Sequence, residues 1–253
     1  MLGLGSSIVH SGLTRDSNAI RFNGGEDYIR VDDDNLLSHS GTSDADDTDF
    51  SVACWVKRDH TGNQDGIFIK GLDGNVEYHA LWSGTALLVD VIDGNGVGGA
   101  GNYRRRIWTN SSTSWQHLVF VVRGPGGDSL DADLYVNGSL QGSSTTGGND
   151  TEGMTPSDKH LYIGRVGTLY QLAGSISNFT MWQNYALDAD EVTYLYASGS
   201  EHKNPLVDEG DYSGGDEVVL WLPLDGSFED SSGNDLHSTP FGNTNFITAD
   251  TLP

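Results

Sequence analysis

Carboxylates are the most abundant ionisable side chains of this 253-residue sequence. It contains 36 Asp and Glu residues against 13 Lys and Arg, so the formal net charge is −23, and 28 of the acids are Asp. Because Asp favours turns and caps over helix and strand interiors, most of these groups are expected in loops. Loop carboxylates and carbonyls suit calcium, whereas EF-hand spacing is absent and the scattered histidines predict no zinc site. A solvated acidic surface without bound ions is the alternative.

The strong negative charge also bears on partners and location. A field of this sign repels nucleic acid and anionic membranes, so neither is expected as a partner. No stretch is long and apolar enough to span a bilayer, and residues 1–17 lack the basic and apolar regions of a signal peptide. The single cysteine, Cys54, excludes an internal disulfide, and its alternation with Val52 and Val56 predicts a small core residue. We therefore expect folding in a reducing cytoplasm.

The basic residues are few, and three of the 13 stand together as Arg104, Arg105 and Arg106. Arg presents a planar fork that binds carboxylates with two hydrogen bonds. If identical subunits pack together, this cluster is expected to contact the acidic stretch 32–49 of a neighbouring subunit. The alternative is a strand edge on which alternate Arg side chains are simply solvated.

The glycine and proline content predicts many short strands joined by tight turns, with 34 Gly against 6 Pro. The Asn137-Gly138 pair supplies the positive φ angles of a type I′ hairpin turn. Residues 142–158 are rich in Gly, Ser and Thr and predict a long exposed loop, and residues 202–216 predict a polar linker. No period of about 20 to 50 residues repeats, which excludes solenoids and propellers.

Residues 159–198 combine strands with one short helix. Apolar residues within this stretch are spaced by three and then by two, which predicts a β-bulge near Ser177. Asp188 and Glu191 have capping-box spacing at the start of an apolar helical pattern, and Gly199 is expected to end the helix. Such a short helix must lean on a larger structure.

These segments together resemble laminin G-like domains of the concanavalin A-like jelly-roll family. The resemblance covers roughly residues 19–245, although Leu172-Ala173 stands where the family often has Phe. The matching positions are the first hairpin with Phe22, Asp27 and Tyr28, the strands 50–57 and 115–123, the Tyr135-Val-Asn-Gly138 turn, Ile163-Gly164, Gly174, Ile176, Trp182, Asn184, Ala186-Leu187, Glu191 and Leu195-Tyr196. The resemblance implies an all-β fold, a two-sheet antiparallel β-sandwich (concanavalin A-like jelly roll) with one short helix.

The same resemblance implies how the chain is divided. Residues 1–17 are expected to form an N-terminal arm or edge strand, and residues 18–253 a single jelly-roll domain. Within it, residues 216–253 resemble an element that usually opens such a domain but here comes last. They are interpreted as a returning C-terminal strand segment, and the alternative is the start of a truncated second copy. Pro223 favours an edge position for this strand.

Two kinds of binding site follow from the resemblance. Members of the family often carry one structural calcium (Ca2+) near a sheet edge, and the residues expected to hold it are Asp27, Asp225, Asp230 and Asn234. The alternative is that these side chains only cap their own turns. Glycan binding, which is common in the family, needs exposed aromatic platforms, and the candidates are Trp82, Trp108, Tyr170 and Trp182. The alternative for each ring is a place in the core.

Catalysis is not expected. Related glucanases place their acids as Glu-x-Asp-x-x-Glu on one strand, but after Glu209 and Asp211 this sequence has Gly214 at the third position. No Gly-x-Ser-x-Gly stands between a strand and a helix, so a Ser-His-Asp hydrolase is not predicted either.

The sequence also resembles laminin G-like proteins of marine bacterial viruses. That resemblance implies a non-catalytic virion structural protein of a bacteriophage, as capsid decoration or as a tail or fibre surface component, with other virion proteins, copies of itself and host-surface glycans as partners. Its expected place is the virion, after synthesis in the host cytoplasm. The alternative is a calcium-dependent carbohydrate-binding lectin or adhesin at a cell surface, reached without a signal peptide.

Overall fold

The computed structural model describes residues 18–39, 47–72, 74–93, 102–124, 130–142, 144–148, 154, 156–199 and 202–248. The predicted arm at residues 1–17 lies outside these ranges. One α-helix, α1, spans Ala189–Tyr196. The strands are β1 Asn18–Asn23, β2 Tyr28–Val31, β3 Phe50–Arg58, β4 Gln64–Leu72, β5 Asn75–Ser83, β6 Ala86–Asp93, β7 Asn102–Thr109, β8 Gln116–Arg123, β9 Asp131–Val136, β10 Ser139–Leu140, β11 Thr145–Gly148, β12 Leu161–Ile163, β13 Arg165–Val166, β14 Tyr170–Gln171, β15 Ala173–Gln183, β16 Val218–Leu222, β17 Ser238–Phe241 and β18 Asn245–Thr248.

Two large antiparallel sheets are built from these strands. The first sheet has the order β10-β9-β8-β3-β15-β1-β18, with β16 also paired to β15. The second sheet has the order β11-β7-β6-β5-β4-β12-β2-β17, and β13 pairs with β14 as a separate hairpin. The predicted all-β, two-sheet sandwich with one short helix is confirmed for the described part of the chain. No helix within it is long and apolar enough to cross a membrane.

The core lies between the two sheets because alternate side chains of each strand point the same way. On β3, Phe50, Val52, Cys54 and Val56 belong to this core, and the Cys54 prediction is confirmed by its complete burial. Intervening residues such as Ala53 lie in a second apolar cluster that includes residues of α1. The sandwich therefore buries side chains on the outer face of the first sheet as well.

Three local predictions are confirmed. Asn137 and Gly138 have φ angles of 50° and 75°, as a type I′ turn requires. The pairing of β15 with β3 shifts register after Ser177, which is the predicted bulge. Asp188 and Glu191 form a complete capping box at the start of α1. The helix ends earlier than predicted, since its C-cap is Ala197 in the left-handed conformation.

Two loop predictions need correction. The stretch 142–158, predicted to be a loop, contains β11, which pairs with β7. The stretch 202–216 is packed and not merely a linker, because Tyr212 is buried and its hydroxyl both donates to Pro205 O and accepts from Trp182 Nε1. Composition alone missed both features, because a strand of Thr and Gly and a single buried ring in a polar stretch leave no periodic pattern.

The C-terminal segment pairs with strands of both sheets. β16 lies beside β15 in the first sheet, β17 pairs with β2 in the second, and β18 pairs with β1. These pairings are compatible with a returning segment, and the division of the chain into an arm and a single domain stays a prediction. Pro223 follows β16 directly, at the point where the strand ends.

Candidate functional site

An open cleft of about 710 Å³ lies where four segments of the chain meet. These are the β1–β2 turn, residues 60–64 before and at the start of β4, the β5–β6 turn, and the β13–β14 hairpin with β15. The polar lining includes four amides and a hydroxyl, contributed by Asn23, Asn63, Gln64, Gln171 and Ser83. The half-buried ring of Tyr170 and the exposed side chain of Leu169 supply apolar surface. We call this feature the Tyr170 cleft.

Tyr170 is positioned by the close approach of its hairpin to β4. Gly66 makes this possible, because a Cβ at that position would overlap the backbone nitrogen of Val166. On the other side, the guanidinium of Arg165 lies 4.4 Å from the centroid of the Tyr28 ring and donates from Nε to Gly167 O at 2.8 Å. The hairpin is therefore held by packing and by charge-assisted contacts.

Below the cleft, a buried arginine ties several loops together. Arg58 donates to the backbone oxygens of Gly84 at 2.7 Å, Asn110 at 2.9 Å and Ser112 at 3.2 Å. Its guanidinium carbon lies 4.7 Å from the centroid of the Trp82 ring. Burial lowers the pKa of Arg58. The three carbonyls compensate for the lost hydration, so the β5–β6 turn is fixed at the edge of the cleft.

A buried carboxylate lies beside this arginine. Asp65 is fully buried, and its Oδ1 accepts from Ala173 N at 3.4 Å. Its Oδ2 makes no hydrogen bond and lies 3.8 Å from Arg58 Nη1 and 3.7 Å from His60 Nδ1. Burial raises the pKa of Asp65 because the charged form loses its hydration. His60 lies between this carboxylate and the cleft that its ring lines.

The four predicted glycan platforms differ in their exposure. Tyr170 lines the cleft, but Trp82, Trp108 and Trp182 are at most 3% exposed. Trp82 lies under Arg58, and Trp182 donates its indole N–H to the Tyr212 hydroxyl at 2.9 Å. The expectation of exposed platforms is therefore corrected for these three rings, because Trp82 and Trp108 lie in the core between the sheets and Trp182 lies in the apolar cluster that includes residues of α1.

Two of the predicted calcium ligands have their carboxylate oxygens occupied by protein donors. Asp27 accepts from Asn23 N at 2.8 Å and Asn23 Nδ2 at 3.1 Å on one oxygen, and from Asn243 N at 2.7 Å on the other. It thereby links the first hairpin to the turn between β17 and β18. Asp230 accepts four hydrogen bonds, from Trp221 N, Ser232 N, Ser232 Oγ and Leu236 N, at 2.7–3.0 Å.

Asp230 and Asn234 act together on the free edge of β16. Asn234 Nδ2 donates to Val219 O at 3.0 Å, and Ser232, bonded to both residues, donates to the same oxygen at 3.1 Å. Asp225 accepts from Asn18 Nδ2 through its backbone oxygen. Within the described ranges no three His, Cys, Asp or Glu side chains converge as a metal site would require. This donor set suits turn capping better than a shared cation, and calcium binding stays a prediction.

The arginine cluster makes its contacts within the chain. Arg104 lies 3.5 Å from Asp47, a residue of the acidic stretch that was expected to come from a neighbouring subunit. Arg105 donates from Nε and Nη2 to both carboxylate oxygens of Asp90 at 2.6 Å. Arg106 donates from Nε to Leu130 O at 2.7 Å. These intramolecular partners account for the charges, and a role in subunit contact stays a prediction.

Sequence reasoning missed Arg58, His60 and Asp65. The three residues stand at the end of β3, in the following loop and at the start of β4, and none belongs to a motif. The available signals were the charged Arg58 at the end of a largely buried strand and Asp65 directly before the apolar run Gly66-Ile-Phe-Ile69. Such signals are equally typical of ordinary strand ends.

The sequence and the fold can now be compared with known proteins. The family described as the concanavalin A-like lectin/glucanases superfamily matches residues 23–193. The chain belongs to this superfamily. The matched range contains β2 to β15 and every described residue that lines the Tyr170 cleft. A comparison with curated protein sequences finds no match.

Solved structures with a similar fold include binding domains of bacterial neurotoxins. The receptor-binding domain of botulinum neurotoxin mosaic serotype C/D has 16% sequence identity and a TM-score of 0.51, over 72% of this chain and 42% of that chain. The binding domain of botulinum neurotoxin serotype D has 15% identity and a TM-score of 0.49, over 71% of this chain and 42% of that one. The chain thus spans less than half the length of these structures, and the first likeness shows a shared fold.

Proposed function

We propose that the chain is a non-catalytic carbohydrate-binding module and that the saccharide lies in the Tyr170 cleft. The observation that carries this proposal is an aromatic ring beside four amide side chains in one open cleft. Amides both donate and accept hydrogen bonds, as sugar hydroxyls do, while the ring and Leu169 can cover the apolar face of a sugar. Membership in a superfamily of lectins and glucanases supports the same class of ligand.

Binding is favoured over hydrolysis by the absence of acids in the cleft. Glycoside hydrolysis commonly needs two carboxylates that flank the scissile bond, one as acid and the other as base or nucleophile. None of the described residues that line the Tyr170 cleft is Asp or Glu. Asp65 is buried behind His60 and so cannot flank a bound sugar. The receptor-binding role named for the neurotoxin domain is compatible with a binding module.

A glycan array with purified protein tests the proposal, followed by affinity measurements on Tyr170→Ala. Removing a half-buried ring from the contact should weaken binding about tenfold. Tyr103→Ala is the matched control, because Tyr103 is also half-buried but does not line the cleft. Loss of binding in Tyr103→Ala alone, or cleavage of any bound polysaccharide, would contradict the proposal. Repeating the array with calcium and with chelator tests the calcium-dependent lectin form.

The virion assignment concerns where such a module acts, and it is supported by the sequence resemblance to marine phage proteins. We propose it as the setting of the binding function. Electron microscopy of intact particles should then find the chain in repeated copies on the surface. A purified protein that stays monomeric and is missing from particles would overturn the assignment without affecting glycan binding.

A further inference from the structure

The chemistry of the Tyr170 cleft narrows the class of saccharide. Its described lining holds amides, a hydroxyl, glycines, an aromatic ring and one histidine, but no carboxylate, ammonium or guanidinium group. The buried Arg58 and Asp65 below it lie 3.8 Å apart and offset each other's charge. The chain as a whole has a formal net charge of −23. An anionic sugar would therefore meet a repulsive field and find no fixed cation to bind.

His60 is the titratable group best placed to change that balance. Its side chain is 38% exposed and lines the cleft, while its Nδ1 atom is buried and makes no hydrogen bond. The carboxylate oxygen Asp65 Oδ2, 3.7 Å from this nitrogen, is also buried without a hydrogen-bond partner. Two complementary buried atoms without partners are costly. A shift of roughly 1 Å would bring them to ordinary hydrogen-bond distance.

We propose that the Tyr170 cleft takes an uncharged saccharide at neutral pH and that His60, backed by Asp65, determines this selectivity. In the neutral imidazole, Nδ1–H donates to Asp65 Oδ2, which leaves Nε2 to accept from a sugar hydroxyl. A ligand that presses on the ring closes the 3.7 Å gap, so binding and the internal hydrogen bond support each other. This inference rests on the proposed function and adds the charge class of the ligand.

Protonation of His60 would reduce this selectivity. The imidazolium would be held by Asp65 from below and would place one positive charge at the wall of the cleft. The other charges around it are accounted for: Asp59 is bridged to Arg21 at 2.8 Å, and Arg58 is held by backbone carbonyls. Lowering the pH favours the imidazolium, so acidic saccharides should then gain affinity relative to neutral ones.

The test is a glycan array that holds neutral oligosaccharides beside their uronate and sulfated counterparts, followed by titration of the best matched pair at pH 7.5 and pH 5.5. We expect the neutral member to bind more tightly at pH 7.5. The ratio of neutral to acidic affinity should fall about fivefold at pH 5.5, as one partly exposed charge contact allows. In His60→Gln the ratio should stay constant, since the amide does not titrate.

His237→Gln is the matched control, because it removes a histidine that is 48% exposed and lies outside the cleft. In this variant the ratio of neutral to acidic affinity should fall as it does in the unaltered protein. Equal binding of acidic counterparts at pH 7.5, or an unchanged fall of the ratio in His60→Gln, would overturn the inference. If glycans bind through Tyr170 in that case, the proposed function stands. If no glycan binds, both the inference and the proposed function are wrong.

Discussion

Two buried histidines predict that the fold loses stability in mild acid. His39 and His117 are at most 3% exposed, and burial lowers the pKa of each from 6.5 to about 3. His39 stacks on Phe50 at 4.3 Å and neither of its ring nitrogens makes a hydrogen bond, while His117 packs against Trp55 at 5.2 Å. Each imidazole therefore stays neutral in the folded chain where the unfolded chain would be protonated.

Proton linkage gives the sign and the size of this loss of stability. Between pH 6.5 and about pH 3 the unfolded chain binds more protons than the folded one at both sites, so the free energy of unfolding falls as the pH falls. Each histidine contributes about 1.4 kcal/mol per pH unit in this window. At pH 4.5 the loss is about 2.7 kcal/mol per site and about 5 kcal/mol for both. Small domains are commonly stable by only about 5–15 kcal/mol, so this loss is large.

Urea denaturation at pH 7.5, 6.5, 5.5 and 4.5 measures the effect, with His39→Leu and His117→Leu as variants. The quantity compared is the change in the free energy of unfolding between pH values. A packing cost in a variant is the same at each pH and therefore cancels. Each variant should lose about 1 kcal/mol less than the unaltered protein between pH 6.5 and pH 5.5, because the unfolded histidine is only half protonated at the start of that interval. His237→Gln, at an exposed site, should behave like the unaltered protein. Identical losses in all four proteins would refute the reasoning.

Two further predictions concern the frame of the candidate site. Gly66→Ala should destabilise the fold by about 1–3 kcal/mol and weaken glycan binding, because its new Cβ would displace Val166 and the hairpin. Gly142→Ala is the control, since it lies outside the cleft and its added Cβ has no atom within 4 Å, so it should change neither property. Urea denaturation measures the stability, and ligand titration measures the binding. Asp230→Ala should cost about 2–4 kcal/mol by leaving Trp221 N and three other donors without an acceptor, equally with calcium or chelator. A calcium-dependent Tm that this variant abolishes would instead support the predicted metal site.

Local patterns in the sequence predicted local structure well. The turn at Asn137, the bulge after Ser177 and the capping box at Asp188 each depend on a few neighbouring residues whose side chains or φ angles permit one backbone conformation. The motif resemblance extended these elements to a complete two-sheet sandwich, and the family match over residues 23–193 agrees with it. Alternation along β3 was enough to place Cys54 in the core.

The candidate site could not be predicted in the same way. Its walls come from segments around Asn23, His60, Ser83 and Tyr170, which the sheet order brings together although they are far apart in the chain. Tyr170 was one of four aromatic candidates, and nothing in its neighbours distinguished it from Trp82. Only the tertiary packing decides which rings are covered: Trp82 and Trp108 lie in the core between the sheets, and Trp182 lies in the cluster that includes residues of α1.

The sequence by itself therefore determined the class of the fold and the local structures that have a clear pattern, although not β11, because hydrophobic periodicity and turn chemistry act between residues a few positions apart. The tertiary structure alone decided that Asp230 caps a strand edge, that Arg104 meets Asp47 of its own chain, and that His60 faces Asp65. Charge, burial and reach depend on distances in space, and these distances are set only when the two sheets close on each other.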